Sequence, residues 1–254
     1  MQRITDEEIR KNLEKVDFKI AVMSGKGGVG KSTISALLAL HYVKKGGKKV
    51  GIFDADFLGP SIPKLFSLEK ERLAFVGGKI EPVLTTRYGI KVISIQFLLP
   101  SPDTPVIWRG PLITGMIREL IGRANWDELD YLIIDLPPGT GDAPLTILQD
   151  IKPNGIIVVT TPQDLAISVV EKSIRMAEEL KSAVLGIVEN MSYIPCPKCG
   201  EKIFAFGKGK TELLYRKYRL EFITQIPYDA ELFRLAEMGR IEEYEIDYFE
   251  FFPY

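Results

Sequence analysis

The chain has 254 residues, 46% of them hydrophobic, with 33 Lys and Arg against 34 Asp and Glu. That length suits one α/β domain with a substantial core. A net charge of -1 gives no global field to draw the chain to nucleic acid or an anionic membrane, so neither is expected as a partner.

The opening MQRITDEEIRKNLEKVDFK is charged and lacks the apolar core of a signal peptide. No apolar run approaches the ~20 residues of a membrane span, and a cytoplasmic protein is expected. Residues 5–16 read as a helix. Short β-branched runs then recur as strands: FKIAVMSG, KKVGIFDAD, GIKVISI, DYLIIDLPPG, GIIVVTT, SAVLGIVENMS and EFITQIPYD. Most are apolar throughout rather than alternating, as parallel strands covered on both faces are. Between them TISALLALHYVKKG, PLITGMIRELIGRA, LAISVVEKSIRMAEELK and DAELFRLAEMG carry helical spacing. The alternation predicts an α/β fold, a doubly wound, mostly parallel sheet with helices on both faces.

Two stretches break that rhythm. Residues 57–105, with RLAFVGGKIEPVL as a small hairpin, read as a mobile insertion beside the second strand. Residues 192–210 are too rich in Pro, Gly and Lys for a core element. The expected organisation is a helical extension over 1–17, one domain over 18–240 with a cysteine loop at 192–210, and an acidic aromatic tail over 241–254. The burial of extension and tail stays open. The lysine-rich KKGGKK and GKGK read as solvated turns.

Gly25-x-x-x-x-Gly30-Lys31-Ser32 is a complete P-loop, preceded by the apolar KIAVM and followed by a helix starting near Thr33. Its glycines let the backbone N–H groups of Gly25, Lys26, Gly27, Gly28, Val29, Gly30 and the helix start at Lys31, Ser32 and Thr33 face phosphates. Lys31 would neutralise β/γ oxygens of ATP, and Ser32 would ligate Mg2+. Such a loop needs a carboxylate at a neighbouring strand end, and Asp135 supplies it after four apolar residues. PPGTGD then reads as a switch loop. In DADFLGPS either Asp54 or Asp56 could orient the attacking water, and either could equally cap a turn.

KGGVGKST, DADFLGPSIP, WRGP, LDYLIIDLPPGTGDA, TTPQDLA and VENMSYIPCPKCG together resemble the Mrp/ApbC family of iron–sulfur cluster carrier ATPases, of the MinD/ParA class of deviant Walker A P-loop NTPases. The likeness runs from about residue 18 to 235. It implies that Lys26 is the class's signature lysine, reaching across a homodimer to the partner's phosphates as an arginine finger would. A solvated loop lysine is the alternative. It further implies Asp56 on the water, Asp54 and Asp135 around Mg2+, and Asn190 on the adenine edge. An amide at a strand end has the donor and acceptor for adenine, though it could also cap a turn.

Cys196-Pro-Lys-Cys199-Gly offers two thiolates, whereas a zinc site or a cubane cluster takes four ligands. His41, in the helix after the P-loop, reads as packing. An isologous dimer would present the pair twice, and the resemblance implies a labile 4Fe-4S cluster bridging two protomers and passed on to apo iron–sulfur proteins. A structural zinc knuckle and a dithiol redox pair remain as alternatives, the latter without a thioredoxin-like βαβ before it. No cysteine precedes Cys196, so the N-terminal cluster of some relatives is not expected. The alternative function is a MinD/ParA-like regulatory dimer switched by ATP with zinc at the cysteines. Its membrane or DNA-binding form would want a basic tail, whereas this tail carries Glu242, Glu243, Glu245, Asp247 and Glu250. A resemblance to the nitrogenase iron protein is weaker, because its cluster cysteines lie far apart in sequence.

Overall fold

Segments that are apolar on both faces are stable only when covered on both, and here they form the middle of a sheet. The computed structural model describes residues 4–57, 59–101, 110–162, 167–207, 211–220, 222–250 and 252. Trp108 and Arg109 of WRGP and residues 163–166 of TTPQDLA lie outside them. In chain order the first half comprises α1 (Asp6–Leu13), β1 (Val16–Ser24), α2 (Lys31–Gly46), β2 (Val50–Asp54), α3 (Ile62–Leu65), β3 (Ala74–Val76), β4 (Lys79–Glu81), β5 (Val83–Leu84) and β6 (Lys91–Ser94). Then follow α4 (Gly110–Arg123), β7 (Leu129–Asp135), α5 (Asp142–Ile151), β8 (Gly155–Thr160), α6 (Ile167–Glu179), β9 (Ala183–Glu189), β10 (Ile194–Pro195), β11 (Lys202–Ile203), α7 (Thr211–Tyr218), β12 (Phe222–Gln225) and α8 (Ala230–Glu237).

The main sheet has the order β12-β9-β8-β1-β7-β2-β6-β5. Every neighbouring pair is parallel except β5 against β6. All residues of β2 and β8 are buried. The chain leaves β1 towards β2 on one side and leaves β7 towards β8 on the other. The crevice where the connections diverge therefore opens beyond the carboxyl ends of β1 and β7, where open α/β sheets place ligands.

The segment after residue 57 is built into the fold rather than hung beside it, which corrects the expectation of an insertion. Phe57, Ile62, Leu65, Leu73, Ile80 and Ile90 are buried, and β6 extends the sheet parallel to β2. The hairpin in it is present as β3 and β4, with Phe75 opposite Ile80.

Both ends of the chain pack on the domain. Helix α1 starts in a capping box, Thr5 Oγ accepting from Glu8 N at 3.2 Å and Glu8 Oε2 accepting from Thr5 N at 2.7 Å. It buries Ile9 and Leu13, and Asn12 Nδ2 donates to the carbonyls of Ile121 and Ala124, which end α4. In the tail Ile241, Tyr244, Phe249 and Phe252 are buried. Glu242 accepts from Thr85 Oγ at 2.7 Å and from the amides of Arg87 and Tyr88, both at 3.1 Å. Lys44 and Lys45 lie in the last turn of α2 rather than in the expected turn, Lys45 exposed and Lys44 half-buried. Their ammonium groups donate to the carbonyls of Tyr244 and Glu250. His41 is a packing residue, 4% exposed, and its Nδ1 lies 2.8 Å from Asp247 Oδ2.

Phe249 is 1% exposed, so Phe249→Ala should lower the stability by about 3–5 kcal/mol, as other Phe truncations in cores do. Urea denaturation of the two chains measures this. A loss below about 1 kcal/mol would mean that the tail does not belong to the cooperative core.

Candidate functional site

Strand β1 ends at Ser24, and the chain curls through Gly25, Lys26, Gly27, Gly28, Val29 and Gly30 into α2, whose first helical residue is Lys31. The helix thus begins two residues before the expected Thr33. Gly28 and Gly30 adopt φ of 79° and 83°, a left-handed conformation that side chains resist. Gly30 is fixed twice over, since a Cβ there would stand 2.2 Å from Asn190 Nδ2. The loop and the N-terminus of α2 border a cleft of about 350 Å³, whose lining includes Lys26, Lys31, Ser32, Thr33 and Asp56. Lys26 is exposed there, whereas Lys31 is 6% exposed.

Asp135, wholly buried at the end of β7, draws the loop together. Its Oδ1 accepts from Lys31 Nζ at 2.8 Å and from Ser35 Oγ at 2.7 Å, and its Oδ2 from Ser32 Oγ at 2.5 Å. Asp54 stands directly beside it in the β2–β7 register and is equally buried. Ser94 Oγ donates to Asp54 Oδ2 at 3.0 Å and the Asp56 amide to Oδ1 at 3.2 Å. Burial, and then the neighbouring Asp135, push the Asp54 carboxyl well above the usual range, against the pull of Lys31 and Ser94. Two adjoining carboxylates and the Ser32 hydroxyl form an oxygen donor set of the kind Mg2+ takes, and a divalent cation would relieve the repulsion between them. Asp56, half-buried, holds a turn by accepting from the Gly59 amide at 3.1 Å and lines the cleft.

Asn190 follows β9 and is 5% exposed. Its Nδ2 donates to the Val29 carbonyl at 2.9 Å, so in this structure its amide holds the P-loop. The cysteines sit elsewhere, in the turn of the β10–β11 hairpin, and do not line the P-loop cleft. Cys196 is half-buried and Cys199 exposed. Hydrogen bonds from the backbone of Lys198 and then Cys199, with one from the Cys199 thiol, hold the Cys196 thiol below its usual pKa. The turn that carries the pair is closed by Gly200 N donating to Cys196 O at 2.8 Å, with Gly200 at φ 76°. Among the described residues no group of three or more His, Cys, Asp or Glu side chains is placed to hold a metal. Within one chain the pair has two ligands to offer.

Ser35 and Ser94 escape motif reading. Ser35 lies four residues after Lys31, one helical turn on, and the sole sequence signal was a hydroxyl on an otherwise apolar helix face. The Lys64–Glu237 pair, at 2.6 Å, brings α8 to the cleft rim, with Phe233 beside it, and no local pattern announces that contact.

Residues 15–248 match the family described as ParA, the NUBPL iron-transfer P-loop NTPases. An iron-sulfur cluster carrier protein of Aquifex aeolicus is 46% identical over 231 residues, which are 91% of this chain and 63% of that protein. This chain thus spans less than two thirds of that relative. An iron-sulfur cluster carrier protein of Methanocaldococcus jannaschii is 45% identical over 235 residues, 92% of this chain and 80% of that protein. A solved nucleotide-binding protein of Archaeoglobus fulgidus, in complex with ADP and with cobalt, is 63% identical and aligns with a TM-score of 0.91 over 99% of this chain and 98% of that one.

The raised Asp54 carboxyl has a stability consequence. Its folded pKa lies above the unfolded one, so the folded state binds the extra proton and Asp54 costs stability increasingly as pH rises above the unfolded value. Asp54→Asn should therefore stabilise the metal-free protein, and the gain in denaturation midpoint should be larger at pH 7 than at pH 4. A gain that shrinks with rising pH would contradict the assignment.

Proposed function

The chain belongs to the ParA family of NUBPL iron-transfer P-loop NTPases, and on that premise we propose that it is an ATP-hydrolysing carrier of an iron–sulfur cluster held between two copies of itself. One observation carries the reading: a nucleotide-type P-loop and an outward-facing two-thiolate knuckle occur on one domain, at separate places. A pair of thiols half-buried to exposed suits cargo that is received and given up, since ligands at a surface can be exchanged.

In this reading the amides of the loop from Gly25 to Thr33 take the phosphates, and Lys31 leaves Asp135 for the β/γ oxygens. Ser32, Asp54 and Asp135 would hold Mg2+, which would supply positive charge to offset that of the phosphates. Asp56 aligns the water that attacks the γ-phosphorus, with the β–γ bridging oxygen leaving as part of ADP. The exposed Lys26 stabilises the transition-state charge of the partner's nucleotide in the homodimer. Asn190 reads the adenine edge. The cargo, a 4Fe-4S cluster, is bound by Cys196 and Cys199 of both protomers and transferred to apo iron–sulfur proteins. No helix among the described residues is long and apolar enough to cross a membrane, and the reading assigns the work to the cytoplasm.

Anaerobic reconstitution with iron and sulfide should give about two irons per protomer in a dimer and lose its visible colour in Cys196→Ser. Tightly held zinc and no cluster would replace the carrier by a nucleotide-switched regulatory dimer with structural cysteines. For the trans lysine, Lys26→Ala should lower ATP turnover by about a thousandfold. Mixing it with Lys31→Ala protomers should restore part of it, because each mixed dimer holds one site with both lysines. No rescue on mixing would place Lys26 outside the catalytic machinery.

A further inference from the structure

Among the described residues the cysteine knuckle does not line the P-loop cleft, so any communication between the two runs through the protein itself. One segment reaches both. Asn190 hydrogen-bonds the Val29 carbonyl, and Cys196 lies six residues later. Between them the backbone is held at nearly every step. The Asn190 amide donates to Thr160 O at 2.8 Å, Ser192 N to Ile226 O at 2.9 Å, and Tyr228 N to Tyr193 O at 2.7 Å. Ser192 Oγ donates to Glu189 Oε1 at 2.5 Å, and Gln225 Nε2 donates to the same oxygen at 3.1 Å. Glu189 is 1% exposed, so this buried carboxylate ties the root of the segment to β12.

The exception to that even tethering is Met191, at φ 54°, a left-handed conformation that a side-chain-bearing residue seldom adopts. It directly follows Asn190. On the other side of Asn190 the fit is tight, since a Cβ on Gly30 would meet its Nδ2 at 2.2 Å and the Met191 Cε at 3.9 Å. The P-loop cannot alter its curvature at Val29 and Gly30 without displacing the Asn190 amide. A turn already held in an uncommon conformation is the place for such a displacement to be absorbed or passed on.

We propose that Asn190 is a positioning residue that couples nucleotide occupancy of the P-loop to the geometry of the Cys196–Cys199 knuckle, through the left-handed turn at Met191 and the tethered segment to Cys196. In this structure Nδ2 is engaged by Val29 O. Phosphates that reorder the loop, or a base that competes for the amide, alter that bond, and the knuckle shifts with the segment. A nucleotide biases the knuckle only through this difference between the two arrangements. The inference rests on the proposed nucleotide site and deepens it by naming the route of regulation.

The test reads the two halves separately. ADP binding is measured by calorimetry, and the rate of alkylation of Cys196 and Cys199 by iodoacetamide is measured without ADP and with ADP at saturation, on the metal-free full chain. The unmodified chain should bind ADP and change its alkylation rate by about fivefold or more, the low end of typical coupling between sites. Because Asn190 also reads the adenine edge, Asn190→Ala should bind ADP more weakly, and at the ADP concentration that saturates it by calorimetry it should alkylate at the same rate with and without the nucleotide. Asn190→Asp keeps the side-chain volume and removes the donor to Val29 O, so equal rates there too identify the hydrogen bond rather than the packing as the link. An ADP-dependent rate that survives in both variants, or an unmodified chain that binds ADP with no change in rate, overturns the proposal while leaving the nucleotide site intact. Absence of ADP binding in the unmodified chain overturns the nucleotide site itself, and the coupling with it.

Discussion

A buried carboxylate at the end of a central strand cannot stand alone, and the way Asp135 is satisfied organises the rest of the molecule. Lys31, Ser32 and Ser35 all come from the first two turns of α2, and all three point at it. The P-loop helix is thereby held against β7 at its positive end, where its dipole favours negative charge. In the proposed function these are the contacts that a nucleotide would rearrange, because Lys31 cannot serve Asp135 and a γ-phosphate with the same geometry. Asp54 adds a second carboxylate beside the first and a cost to go with it. Sites built for cations and phosphates commonly give up stability for function in this way.

Helix α2 is held at its other end as well. His41, Lys44 and Lys45 engage Asp247 and the carbonyls of Tyr244 and Glu250, while Tyr244 Oη donates to Asp229 Oδ2 at 2.6 Å. Asp229 caps α8, whose Phe233 and Glu237 line the cleft. The acidic aromatic tail is thus a strap from the far end of α2 to the helix over the cleft rim. Two of its acidic residues are spent on this work, Glu242 on three donors of the 85–88 loop and Asp247 on His41.

What the sequence made legible was whatever is local and periodic. The apolar runs revealed the parallel strands because burial on both faces leaves no alternation, and the P-loop was visible because its chemistry needs consecutive residues. Helices α5 and α7 carry no such signal. The first opens out of the Pro- and Gly-rich PPGTGD, and the second, TELLYRKY, comes straight after the Gly- and Lys-rich GKGK. The two-residue strands β5, β10 and β11 carry no pattern at all. Contacts such as Asn190 with Val29, 161 residues apart, or Glu242 with Thr85, 157 apart, exist only once the sheet order is set. Ser35 and Ser94 are ordinary hydroxyls until Asp135 and Asp54 are placed opposite them.

The central claim is that Asp135 holds Lys31 and Ser32 until phosphates and a metal ion take them over. Calorimetric titration of ADP into the unmodified chain and into Asp135→Asn, each with and without Mg2+, tests it directly. The account predicts that Mg2+ tightens ADP binding to the unmodified chain and not to the variant, while ADP alone binds the variant more tightly because Lys31 no longer has to be withdrawn from a carboxylate. Metal-free ADP binding that is unchanged or weaker in Asp135→Asn, with the Mg2+ effect retained, would contradict it.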